Sequence, residues 1–243
     1  MDASIIYGLN PVLEALAAGV PIQALYVAGS ISGAARHRIE QAARDRGVRL
    51  LRTDTRELDR LSEGGVHQGV LAQVAPTQRL ELAQLMARTG TPRTLLLCLD
   101  EVQDPRNLGA LARSALAFGA TGIVVPGRRS SPVTPAAIKA SAGALCRLPV
   151  ATVTNLGQAL DRLKQGGFWI AGAVAEDARP PWEIDPGDRV AVVLGSEGRG
   201  LRKHIEERLD FRAWIPMRPE SESFNVSVAG AILLYEWLGR VRG

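Results

Sequence analysis

The chain has 243 residues, 46% hydrophobic and 22% charged, with a formal net charge of +4. This composition excludes a disordered or fibrous chain, and no apolar run reaches the ~18 residues of a membrane span. The basic excess is mild and lies outside residues 1–76, where eight Arg face eight Asp and Glu, so it permits nucleic-acid binding without requiring it.

The first part alternates short elements. Residues 10–19 read as a helix with Asn10 as cap, Pro11 in the first turn and Gly19 as stop. A strand over 24–28 is followed by a helix over 33–47, with Ala35, Ile39, Ala42 and Ala43 at helical spacing. A strand over 48–53 leads to Asp54 and Glu57, spaced as a capping box for a short helix ending at Leu61, and 69–75 reads as a last strand. Residues 1–76 thus predict a small α/β unit. Residues 77–92, bracketed by Pro76 and Pro92, read as a connecting helix or linker, and 93–243 as a second domain.

That second domain opens with TLLLCLD, 94–100, whose unbroken apolar run predicts a strand buried on both faces. A helix runs to about Phe118 and contains one charge after its first turn, Arg113, among small and apolar residues. Further strands are expected at 122–125, 149–153, 168–174, 189–195 and 213–217. Helices are expected at 134–145 (capped by Thr134), 155–166, 201–209 and 225–242. Such alternation predicts a mainly parallel sheet with helices on both faces.

Cys98 and Cys146 offer neither a disulfide framework nor metal-ligand spacing, which fits a reducing compartment. The stretch MDASIIYGLN lacks the basic region and apolar core of a signal peptide, so a cytoplasmic location is expected. Only Lys139, Lys164 and Lys203 are Lys. The Arg bias suits phosphate contacts, and a GC-rich genome produces it equally well. The G-x-G-x-x-G fingerprint, the P-loop, the G-x-S-x-G elbow and H-E-x-x-H are absent, and His37, His67 and His204 are scattered.

Three segments remain, each just after an expected strand, where open α/β sheets gather their sites. They are DEVQDPRNLGALARSA (100–115), VLGSEGRGL (193–201) and IPMRPESESFNVSVAGAILLYE (215–236). Singly each has a plain reading. Glu197 sits in a glycine turn between strand and helix, and Ser223 or Asn225 serves as a helix cap.

Together the segments resemble the three motifs of the SpoU/TrmH family of RNA ribose 2′-O-methyltransferases, of the SPOUT superfamily. The first matches at Asp104, Pro105, Asn107, Gly109, Ala110 and Arg113, with Phe118 and Gly119 following. The second matches at Leu194, Gly195, Glu197, Gly198 and Gly200. The third matches at Ile215, Pro216 and Met217, then at Ser223, Asn225, Val226, Ser227 and Val228. The first part is similar to the family's small L30e-like substrate-binding domain through Tyr7, Gly8, Asn10, Pro11 and Val12 and through His67, Gln68 and Gly69. Two positions depart from the family pattern: Pro219 stands near a usual Gly, and Phe224 replaces a usual Leu.

The resemblance implies an S-adenosylmethionine-dependent methyl transfer to a ribose 2′-oxygen, with no metal, on a C-terminal α/β domain folded into a trefoil knot. It implies a homodimer. It assigns Asn107, Arg113, Glu197, Ser223 and Asn225 to the catalytic set. Gly195, Ile215, Met217, Phe224 and Val226 are assigned to the cofactor. The two-domain arrangement is most similar to family members that methylate a guanosine in the peptidyl-tRNA-binding loop of 23S rRNA. The same chemistry on tRNA or another rRNA nucleotide, and a non-catalytic RNA-binding assembly factor, are the alternatives. Arg113 is cast in the family as a general base. A guanidinium stays protonated in proteins, so its expected work is to grip a phosphate and stabilise a forming alkoxide.

Overall fold

A computed structural model describes residues 4–90, 93–174, 177–196, 198–218, 220 and 223–239. The first unit comprises β1 (Ser4–Tyr7), α1 (Leu9–Ala17), β2 (Ile22–Ala28), α2 (Gly33–Asp45), β3 (Leu50–Thr53), α3 (Thr55–Leu61) and β4 (Val70–Val74). Its sheet has the order β1-β4-β2-β3, with β4 antiparallel to both neighbours and β2 parallel to β3. β1 is an element the sequence reading missed; four residues are too few to show a period.

Local chemistry explains the helix ends. α1 begins at Leu9 after Gly8, whose φ is +95°, so Asn10 lies within the first turn rather than at the cap. The cap comes from afar: the Gln68 Oε1 accepts the Leu9 N–H at 3.1 Å. Gly19, with φ +73°, ends the turn as expected. The Ser32 hydroxyl caps α2 and the Asp54 carboxylate caps α3, accepting the Glu57 N–H at 2.8 Å. The Glu57 side chain turns to Arg60 (2.6 Å) instead of closing a capping box.

The second unit begins inside the stretch expected to be a linker. β5 (Arg79–Leu80) pairs in parallel with residues 150–151, and α4 (Leu82–Met86) buries Leu82 and Leu85. Next come β6 (Thr94–Leu99), α5 (Pro105–Phe118), β7 (Gly122–Pro126), α6 (Pro135–Ala140), β8 (Val150–Val153), α7 (Leu156–Gln165) and β9 (Trp169–Ala173). β10 (Arg189–Leu194), α8 (Lys203–Glu206), β11 (Phe211–Ala213) and α9 (Val226–Leu234) complete it. α9 runs on into a π-helical turn at Tyr235–Gly239. The expected helix residues 240–242 and Pro92 lie outside the described residues.

The larger sheet has the order β11-β9-β10-β6-β7-β8-β5, and its recorded pairings are all parallel. The α/β class is as read. The strand expected at 213–217 sits earlier, at Phe211–Ala213, and Ile215 to Met217 follow it as non-strand chain. Pro216 has no N–H to give to a ladder.

All six residues of β6 are buried, as its apolar run predicted. Leu95, Leu97 and Leu99 face one layer with α5, α6 and α9, while Leu96 and Cys98 face the other with α4, α7 and α8. This is the period-two alternation of a strand covered on both faces. Both thiols are buried, and desolvation pushes Cys98 to about 12 and Cys146 to about 11.

The two units share one core. Val12, Ala15, Leu16 and Val20 of the first belong to the same buried cluster as Ile138, Leu145 and Cys146 of the second. At the junction, a Cβ on Gly143 would lie 2.6 Å from Pro21 Cδ and 3.0 Å from Val20 Cα, and Lys139 pairs with Glu14.

Candidate active site

The chain runs outward from β6 through β7 to β8, then crosses to the other side, where β10 takes its place beside β6. The order of the sheet therefore reverses between β6 and β10. In open parallel sheets that switch point opens a crevice at the carboxyl ends. The loops leaving β6 and β10 carry the first two motifs.

An ion pair between a buried carboxylate and a part-exposed guanidinium ties these loops together. Asp100, 1% exposed, takes both Nε (2.9 Å) and Nη2 (2.5 Å) of Arg202 on one oxygen and the Arg202 N–H on the other. The Asp100 N–H donates to Leu194 O at 2.7 Å. The hydrogen bond to Asp100 holds the Arg202 guanidinium above its ordinary value. Neither residue was singled out from sequence. The signal was a carboxylate at the end of a fully apolar strand, which demands a cationic partner.

α5 starts with Asp104 accepting the Arg106 N–H at 2.8 Å and Pro105 in the first turn, and it ends at Gly119 with φ +86°. The bonds from Arg106 hold the Asp104 carboxyl below the usual carboxylate range. A Cβ on Gly109 would stand 2.5 Å from Ala140 Cβ and 2.7 Å from Ala137 O, so glycine lets α5 lie against α6. Gly230 does the same for α9, with Leu111 Cδ2 at 2.3 Å and Leu194 Cδ1 at 2.7 Å from its notional Cβ.

This packing brings two predicted residues together. The Asn225 Nδ2 donates to Asn107 Oδ1 at 3.2 Å across 118 positions of chain. The Asn225 Oδ1 caps α9, accepting the Ser227 N–H at 2.9 Å and the Ser227 hydroxyl at 2.6 Å. Of the two cap candidates, Asn225 is the cap; Ser223 precedes it and is exposed.

Arg113 is not drawn into that pair. It lies on the exposed side of α5, seven residues on from Arg106 and so on the same helix face, and has no hydrogen bond or ion pair with another described residue. The sequence sets Arg113 among small and apolar residues, yet the position itself is exposed. The outward turn of this face leaves Arg113 hydrated, so α5 folds without a protein partner for it.

The second motif forms a tight loop. Ser196 and Gly200 exchange backbone hydrogen bonds of 3.1 and 3.0 Å, and Gly198 and Gly200 have φ +82° and +66°. A Cβ on Gly195 would meet Gly200 C at 2.1 Å. The close approach required at Gly195 is thus to its own loop. Glu197 lies outside the described residues, as does Pro219. In the third motif, Ile215 is half-buried against the core that contains Leu194 and Val226; Met217 is half-buried, Val226 buried and Phe224 40% exposed.

The two N-terminal motifs also meet. Besides the Gln68–Leu9 bond, Gly8 N–H donates to Val70 O at 3.0 Å. A cavity of about 380 Å³ opens there, lined by Leu9, Asn10, Ser30, Ser32 and Gln68. His67 is buried and satisfied: Nδ1 accepts the Gly69 N–H (3.0 Å), which leaves Nε2 to donate to Asp59 (3.0 Å).

Comparison with known proteins gives the following. Residues 94–235 match the model of the SpoU rRNA Methylase family, and residues 5–80 match that of RNA 2′-O ribose methyltransferase substrate binding. A relative from Mycolicibacterium vanbaalenii, called an uncharacterized tRNA/rRNA methyltransferase, is 42% identical over 238 residues, covering 97% of this chain and 76% of its own. A solved structure of a putative RNA methyltransferase of the TrmH family from Porphyromonas gingivalis superposes with a TM-score of 0.66 at 26% identity, covering 98% of this chain and 90% of its own. The SpoU methyltransferase AviRb from Streptomyces viridochromogenes, solved with the cofactor AdoMet, gives 0.69 at 24% identity over 98% of this chain and 91% of its own.

Proposed function

Since the chain belongs to the SpoU rRNA methylase family, we propose that it methylates a ribose 2′-oxygen of RNA, most specifically that of a guanosine in the peptidyl-tRNA-binding loop of 23S rRNA. The observation that carries the reading is the Asn107–Asn225 pair, which joins the first and third motifs beside the β6/β10 switch point.

The residues present fit S-adenosylmethionine. Half-buried Ile215 and Met217, buried Val226 and part-exposed Phe224 offer the apolar surface that suits the flat face of an adenine, and Gly195 opens a backbone loop at the head of a buried strand. When bound, that cofactor supplies an electrophilic methyl group. The chain's own residues do the rest. Asn107 and Asn225 orient each other's amides, and Ser223 joins them in positioning the ribose. Arg113 stays charged, grips the target phosphate and stabilises the oxygen as its proton leaves. Glu197 orients the network or helps take the proton.

The first unit holds the RNA and selects it, with Asn10 and Gln68 at the rim of its cavity. The chain works as a homodimer in the cytoplasm. α9 exposes Val228 and the π-helical turn that follows exposes Tyr235, with Phe118 of α5 packed edge-on to Tyr235 at 5.9 Å. A patch of this kind suits a two-fold interface.

The test is transfer of a labelled methyl group from S-adenosylmethionine to separated 23S rRNA and tRNA, followed by alkaline hydrolysis. A 2′-O-methyl group blocks cleavage at its own nucleotide. Label in an alkali-resistant dinucleotide from 23S rRNA supports the reading. The same product from tRNA moves the substrate, and label on a free base removes the ribose chemistry.

A further inference from the structure

Two strained residues face each other at the mouth of the crevice, and neither motif accounts for them. Glu101 follows β6 with φ +60°, and Arg129 follows β7 with φ +58°. Neither is glycine or asparagine, so both conformations cost free energy and persist only because their surroundings hold them. The Glu101 side chain is 14% exposed. Its Oε1 lies 3.6 Å from Arg129 Nη1 and 3.4 Å from Arg202 Nη1, and it makes no hydrogen bond among the described residues.

The loop 127–131 is fastened where it stands. Ser131 N–H donates to Val102 O at 2.8 Å, which lays the loop against the segment that leads into Asp104 and α5. It presents Arg128 and Arg129, the latter 75% exposed. Below them the Ser130 hydroxyl is buried without a hydrogen-bond partner among the described residues. Asp100 already engages Arg202 fully. That leaves Glu101 as the carboxylate paired with Arg129, and with Arg128 exposed in the same loop the local balance stays positive.

We propose that the loop 127–131 is a binding site for a phosphodiester of the RNA strand flanking the target ribose, with Arg129 as the contact and Glu101 as its positioning residue. The inference rests on the functional reading above and names where that substrate is gripped. A guanidinium held by a carboxylate at ion-pair distance, but not hydrogen-bonded to it, keeps its donor fork for a second anion. Glu101 limits where the Arg129 fork points, so less freedom is lost when phosphate arrives. The strain at both residues has its reason there, since a relaxed loop would carry Arg129 away from the mouth.

The experiment measures the affinity of the full chain for a short single-stranded RNA of mixed sequence as salt is raised. Phosphate contacts are sequence-independent and release counterions, so each contributes about 0.7 to the slope of log affinity against log salt on a single strand. Arg129→Gln is expected to lower the slope by about that amount, and Arg129→Lys to retain it. Glu101→Gln is expected to change RNA affinity in the unsubstituted background and to have no effect on top of Arg129→Gln.

An unchanged slope in Arg129→Gln overturns the site. An undiminished Glu101→Gln effect in the Arg129→Gln background overturns the positioning role. S-adenosylmethionine binding by calorimetry serves as the control for intact loops. If Arg129→Gln weakens it, Arg129→Lys decides: a kept slope supports the contact and a lost slope removes it. An unsubstituted chain with no salt-dependent RNA binding overturns the functional reading and the site with it. A normal slope that Arg129→Gln leaves untouched overturns the site alone.

Discussion

A guanidinium on the solvent side of α5 needs no partner for folding, so Arg113 is free to be set by its ligand. Replacing it should leave stability within about 0.5 kcal/mol, as for other exposed positions away from caps and cores. Its proposed work lies in transfer. Arg113→Lys keeps a charge and loses the planar fork, so turnover should fall about a hundredfold, the loss typical of one electrostatic donor, with the pH–rate profile unchanged in shape. Near-full activity with a new ionisation in the profile would make the residue a base. Asn225 carries two separable tasks, the cap of α9 and the bond to Asn107. Asn225→Ala should cost about 1 kcal/mol in urea unfolding through the lost cap, while Asn225→Ser should keep the cap. Both should lose transfer alike, because neither reaches Asn107. Activity that tracked stability instead would reduce Asn225 to a cap.

The elements depend on close approach. In Gly109→Ala, two effects oppose: alanine gains about 1 kcal/mol of helix propensity, while its Cβ must enter space 2.7 Å from Ala137 O and 2.8 Å from Ser141 N. Both atoms are backbone and cannot rotate away, so overpacking of ~1–3 kcal/mol should win and thermal unfolding should move down. An upward shift would show that α5 and α6 can part freely. At this scale much was legible in the sequence. The cap at Thr134, the glycine stop at Gly19 and the buried run of β6 are local chemistry. β1 and β5 were not legible, since two to four residues carry no period and their pairing is decided by distant neighbours. β11 was placed late because AWIPM looks extended, although Pro216 cannot join a ladder.

Across the whole molecule, the shared core makes the two units one cooperative body. All four tryptophans, Trp169, Trp182, Trp214 and Trp237, lie in the second unit, so fluorescence reports that unit while far-ultraviolet dichroism reports both. The two probes should give coincident urea transitions, and separate midpoints would show that the junction at Gly143 does not couple them. The site was only partly legible at this scale. Asn107 and Asn225 are 118 residues apart, and no spacing rule joins them; the resemblance named them and the packing of α9 on α5 supplies the contact. Asp100, Arg202, Glu101 and Arg129 escaped notice because their meaning lies in which loops the parallel sheet sets side by side. The central claim is ribose methylation of RNA, and it is tested most directly by mapping 2′-O-methyl positions on total RNA with and without the active chain. The account predicts one ribose position, a guanosine of 23S rRNA, methylated only when the chain is present. An unchanged map of ribose positions would contradict it.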